Sequence, residues 1–129
     1  MIIDNSLVFS DAQAITESAA GTNYVNQGAA GDAYDAPWLV VKVNTAFTSD
    51  DSGTVTVKLQ TDSDSGFATE LKNLFVSDTF DVDDLTAGAV LVKVRIPVGV
   101  LQYLRVYYTV ENTFTAGAVD AFMAVDVNL

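Results

Sequence analysis

A period of two runs through the last third of the chain. Val90-Leu-Val-Lys-Val-Arg-Ile96, Tyr103-Leu-Arg-Val-Tyr-Tyr-Thr-Val110 and Ala118-Val-Asp-Ala-Phe-Met-Ala-Val-Asp-Val127 each alternate without interruption. Successive side chains of a strand point to opposite faces, so each stretch sorts into an apolar face and a wet one. Val90, Val92, Val94 and Ile96 share a face, as do Leu104, Val106, Tyr108 and Val110, and Val119, Ala121, Met123, Val125 and Val127. The opposite faces carry Lys93 and Arg95, then Tyr103, Arg105 and Tyr107, then Asp120 and Asp126. A helix would scatter the same residues around its circumference. The pattern predicts three antiparallel strands, apolar on one side and solvated on the other.

The rest of the chain continues in the same manner. Ser6–Phe9 is a short strand candidate. Ser10–Gln13 is ambiguous: Ser10 with Gln13 fits a helical capping box and the run to Ala20 is rich in alanine, yet Gln13, Ile15 and Glu17 also alternate with Ala14, Thr16 and Ser18. The alternation favours a strand, with helical turns over 10–20 as the other possibility. Thr22–Asn26 reads as extended, and Gly28–Pro37 as a loop rich in Gly, Ala and Asp. Trp38–Asn44 is a strand with Leu39, Val41 and Val43 on its core face, and Trp38 itself reads as a packing residue. Phe47–Gly53 is a turn. In Thr54–Thr61, Val55, Val57 and Leu59 point in while Thr56, Lys58 and Gln60 point out. Asp62–Gly66 turns again, Phe67–Val76 buries Leu71, Leu74 and Phe75, and Phe80–Leu85 is a short edge element. About eight short strands punctuated by turn residues predict an all-β, antiparallel β-sandwich of jelly-roll type, with residues 1–129 as a single domain.

With 129 residues, half of them hydrophobic, the chain is large enough for a core without covalent staples. It has no cysteine and no histidine. Serine–histidine triads, thiol proteases and Cys/His zinc sites are therefore excluded. There is no P-loop and no dinucleotide fingerprint. A carboxylate glycosidase would need two acids facing each other across about 5–9 Å, whereas most Asp residues here sit in turn sequences. Asp62-Ser-Asp-Ser-Gly66 resembles half of a calcium loop, but Gly66 and Asn73 stand where further oxygen ligands are needed. Asp78, Asp81, Asp83 and Asp84 read as a solvated run protecting a strand edge. No catalytic residue, metal site or cofactor is expected. A net charge of −11 disfavours nucleic acid, and no stretch reaches the roughly eighteen apolar residues of a membrane span. The start, Met1-Ile-Ile-Asp-Asn, lacks the basic region of a signal peptide.

Lys93, Arg95 and Arg105 are half of the six basic residues and are expected on one side of two adjacent strands, beside Tyr103 and Tyr107. Tyr and Arg are enriched in protein interfaces, so this face is the candidate contact surface. Cation–aromatic stacking within the sheet is the alternative explanation.

Several stretches, in order and spacing, resemble the small jelly-roll capsid cement (decoration) proteins of tailed double-stranded-DNA phages. They are Phe9-Ser-Asp-Ala-Gln-Ala-Ile-Thr16, Leu59-Gln-Thr-Asp-Ser-Asp-Ser-Gly-Phe67, Ala87-Gly88, Ile96-Pro-Val-Gly99, Tyr103-Leu-Arg-Val-Tyr-Tyr108 and Thr115-Ala-Gly117. The resemblance implies an all-β sandwich without catalytic residues. It implies copies that associate and bind the major capsid protein on the outer surface of the virion, after assembly in the bacterial host cytoplasm; the face with Tyr103, Arg105 and Tyr107, set against an otherwise acidic surface, is expected in or beside the contact of a homodimer or homotrimer. The competing expectation is a carbohydrate- or receptor-binding jelly roll on a virion or secreted protein.

Overall fold

The computed structural model describes residues 8–26, 38–96 and 100–124. Among them lie nine strands and no helix: β1 (Val8–Ala14), β2 (Ala19–Ala20), β3 (Val25–Asn26), β4 (Trp38–Thr48), β5 (Thr54–Asp62), β6 (Lys72–Asp81), β7 (Val90–Arg95), β8 (Tyr103–Glu111) and β9 (Ala116–Ala124). The pairing is nested. β5 pairs with β6, β4 with β7, β2 and β3 with β8, and β1 with β9, all antiparallel. Successive rungs of this long hairpin fall alternately into two sheets, β1-β9-β4-β7 and β2-β8-β5-β6. Ala20 opposes Tyr107 and Val25 opposes Leu104, so β2 and β3 share one strand position along β8. The result is two four-position sheets wound as a jelly roll.

The inward faces follow the alternation. Leu39, Val41 and Val43 of β4, Val55, Val57 and Leu59 of β5, Leu104, Val106 and Tyr108 of β8, and Val119, Ala121 and Met123 of β9 form one core between the sheets. Each fully buried side chain of this kind contributes about 1.5–3 kcal/mol relative to exposure. Segment 10–20 is strand where it is regular. Ser10 Oγ does donate to Gln13 Oε1, at 2.7 Å. Register shifts along β1 and a positive φ of 49° at Ala12 bring these two side chains together, where a helix would have used a full turn.

The structure departs from the sequence reading in several places. The strand that begins at Trp38 runs on through Phe47, which is buried and sets its ring edge-on to Phe114, with centroids 4.8 Å apart. The turn itself is confined to residues 49–53, where Ser49 Oγ accepts from the backbone N–H groups of Asp51 and Gly53. Gln60 is buried although its position in the alternation points outward, because it sits under Arg105 and Asn73. Leu71 is exposed rather than buried, since it precedes β6 at the rim. Phe80 belongs to the ten-residue edge strand β6, which ends at Asp81, and does not begin a separate element. Phe122 lies on the outer side of β9 yet is only 2% exposed, packed with Val40, Ala124 and Val8 in a second, small apolar cluster. The expected loop 28–37, Val125, Asp126 and Val127 fall outside the described residues.

Candidate functional site

The largest departure concerns the basic face. β7 is the edge of the first sheet and β8 lies in the second, so the two strands are not adjacent. Lys93 and Arg95 therefore project from one side of the sandwich, and Tyr103, Arg105 and Tyr107 from the other. Strand alternation defines which face a residue takes within its sheet. It does not define which strands are neighbours, and in a jelly roll consecutive strands cross between sheets.

On the first sheet, Arg95 is directly opposite Trp38 in register, and its guanidinium lies 4.9 Å from the centre of the indole. Lys93, opposite Val40, brings its Nζ to 5.8 Å from the same ring. Trp38 begins a core strand but points away from the core, and its role is to seat two cations. Further along the same face, Lys42 Nζ lies 6.0 Å from the ring of Phe122. Asp120 beside it accepts from the backbone N–H of Ala12, at 2.6 Å, and from the side-chain amide of Asn44. A shallow pocket of about 320 Å³ lies there, lined by Asp11, Lys42, Asn44, Asp120 and Phe122 among others.

On the second sheet, Arg105 lies 4.5 Å from the ring of Phe67 and 5.2 Å from that of Tyr107. Its Nε donates to Gln60 Oε1 at 2.7 Å, and Gln60 Nε2 donates onward to Asn73. Burial pulls the guanidinium pKa down while Tyr107 and Asp62 oppose that shift, and the group remains a cation. Tyr24 sets its ring edge-on to both Phe67 and Tyr103, with centroids 6.2 and 5.5 Å apart. The alternating sequence pointed to Tyr103, Arg105 and Tyr107. It gave no signal for Tyr24 and Phe67, because neither lies in an alternating run. Stacking within the sheet holds Arg105 in place and leaves half-exposed aromatic edges around a fixed charge.

The loop after β5 explains this order. Asp62, wholly buried, accepts from the backbone N–H groups of Asp64, Thr69 and Glu70. It thereby ties down residues 63–70 and positions Phe67, which adopts a positive φ of 53°. The half-match to a calcium loop thus has its first carboxylate engaged with backbone amides. Asp81 likewise accepts from the N–H groups of Asp83 and Asp84, forming a local turn. Among the described residues, no group of three or more acidic side chains is arranged to hold a metal ion. No helix there is long and apolar enough to cross a membrane.

No curated protein matches the chain. The profile of one phage-related family does match, over residues 9–123, which reach into all nine strands and include both basic–aromatic clusters. With nearly its whole length covered by that match, the chain belongs to the Bbp16 family.

Proposed function

We propose that the chain is a non-catalytic head-decoration (cement) protein of a tailed phage, docked on the outer surface of the virion and bridging neighbouring major capsid subunits. The observation that supports this reading is the placement of fixed cations among aromatic rings on both outer faces: Lys93 and Arg95 over Trp38 on one, and Arg105 between Phe67 and Tyr107 on the other. A bridging protein needs two contact surfaces, and Arg–aromatic clusters are the composition of contact hot spots. The net charge of −11 suits a position away from packaged DNA. Sugar stacking on Trp38, as a carbohydrate-binding module would use, would first have to displace Arg95 from the ring.

Cosedimentation of the purified protein with undecorated and mature heads tests the reading. Saturable pelleting with undecorated heads is expected, and a failure to pellet with either would remove it. The same reading includes self-association as a homodimer or homotrimer with Tyr103, Arg105 and Tyr107 in or beside the contact. Truncating an anchor at the centre of such a contact costs about 2 kcal/mol or more. Arg105→Ala with Tyr107→Ala should therefore shift light-scattering mass toward monomer at micromolar concentration. A monomeric unmutated protein would refute self-association, and an unchanged oligomer in the double variant would refute this choice of face.

A further inference from the structure

The core is sealed unevenly. Its half-buried apolar members, Val110 apart, all come from the segment between Leu74 and Val94. That segment contains β6 and β7, each the last strand of its sheet, and among the described residues neither has a strand neighbour on its outer side. Between them runs a groove of about 420 Å³, with Asp78, Phe80 and Asp84 on one bank and Ala89, Val90 and Leu91 on the other. Val90 at the groove is 46% exposed, and Val76 of β6 is 51% exposed. Edge strands are ordinarily shortened, covered or charged against pairing. β6 is ten residues long; register shifts interrupt its pairing with β5 and Asp78 and Asp81 lie on it, yet it still leaves Val76 exposed at the rim.

We propose that this open side receives an extended segment of a partner protein, paired as an added strand along β6, whose groove-facing side chains include both apolar residues and Lys or Arg. Strand addition of this kind takes affinity from main-chain hydrogen bonds and specificity from pockets for alternate side chains. The apolar side chains of the incoming segment fill the groove beside Phe80, Val90 and Leu91. Basic side chains on the same face meet Asp78, two residues from Phe80 along β6, and Asp84. Acidic segments are rejected by the same carboxylates and by a net charge of −11. The inference goes beyond the head-decoration reading and does not depend on it, since the site is a property of the isolated sandwich.

The test uses a short capped peptide with Val and Lys taking turns at every second position and Thr between them as the probe, with the same peptide carrying Glu for Lys as the control. Titrated into the full chain and followed by amide NMR, the Lys peptide should bind saturably and shift the resonances of β6 and of residues 89–91. Asp78→Asn with Asp84→Asn should weaken it about fivefold, the loss of two exposed ion pairs. Val90→Lys should weaken it as well, with the melting temperature preserved. Equal binding of the Glu peptide, shifts confined to β1 or the other outer face, or no saturable binding would each overturn the proposal. The Val90–Arg95 strand of a second copy likewise carries apolar and basic residues on one face, Leu91, Lys93 and Arg95. If sedimentation of the unmutated chain shows an oligomer that Val90→Lys disperses, a second copy is the occupant and the proposal is wrong. Failure to bind heads would leave this result untouched.

Discussion

Tyr108 carries its hydroxyl through the core to Ser10 Oγ, 2.8 Å away on the opposite sheet. Ser10 has one proton and gives it to Gln13, so Tyr108 is the donor. Gln13 Oε1 also accepts from the N–H of Thr22, and its amide donates to the carbonyl of Ala20. This chain of bonds fixes β1 against β2 and β8 in a region of poor register. Tyr108→Phe should cost about 1 kcal/mol, read as a lower denaturant midpoint at unchanged slope. Burial, the largest influence, pushes the Tyr108 phenol far above its ordinary value, and the Ser10 bond offsets only part of that. A raised folded pKa means that its stabilising contribution is intact below pH ~10, where unfolded tyrosine ionises, and is lost as the pH climbs from there. An alkaline limb of unfolding that begins near that point in the unmutated protein and flattens in Tyr108→Phe is the expected outcome. Asp62 works in the other direction. Burial alone would raise its pKa, but the N–H groups of Glu70, Asp64 and Thr69 outweigh it and hold the carboxyl below its ordinary value. Its contribution is then present above the unfolded value of about 4 and disappears as the pH falls through the folded one. Asp62→Asn should lower the melting temperature at neutral pH and shrink the difference between neutral and acid conditions. From sequence, Asp62 was one turn aspartate among several, because turn composition does not distinguish an acid at the surface from one folded under its own loop.

At the scale of the strand, the alternating pattern located β4, β5, β7, β8 and β9 and most of their inward residues, because burial of one face imposes a period of two. What it could not carry was the crossing between sheets. The run from Val90 through Tyr108 reads as one continuous surface, yet it supplies both outer faces of the sandwich. Two-residue strands such as β2 and β3 leave too short a pattern to detect, and Leu71 was misplaced because apolar character alone does not fix depth at a rim. Gly117 in β9 is a further element-level constraint. It has a φ of +141°, and a Cβ there would lie 2.4 Å from the ring of Phe47. Gly117→Ala would drive into a ring already packed edge-on against Phe114, so a loss of about 1–3 kcal/mol is expected by chemical denaturation. An unchanged midpoint would mean that Phe47 can swing away without penalty. The Thr48–Thr115 hydroxyl bond beside it argues that this end of the pair is held.

For the molecule as a whole, charge is unevenly deployed. Of 17 acidic and 6 basic residues, four cations, Lys42, Lys93, Arg95 and Arg105, lie over aromatic rings on opposite faces, and acidic residues predominate elsewhere. Without histidine, only carboxylates titrate on the acid side, and mutual repulsion vanishes near the isoelectric point of about 4.1. Turbidity against pH should therefore peak close to pH 4, and a clear, concentrated solution there would contradict the charge argument. The nested pairing has another consequence, which concerns time. β1 is the first described strand to leave the ribosome, and its partner β9 is the last; Ala12 must wait 108 residues for Asp120. At about 5–20 residues per second, the strand stays unpaired for about 5–20 s while the inner hairpin of β5 and β6 is already available. The sandwich thus closes only after β9 has emerged, and folds dominated by such distant pairings complete in about milliseconds to seconds. A nascent chain stalled anywhere before β9 offers an open strand to its neighbours, so slow translation is a hazard to this protein, and the emergence of β9 is the step that makes it safe.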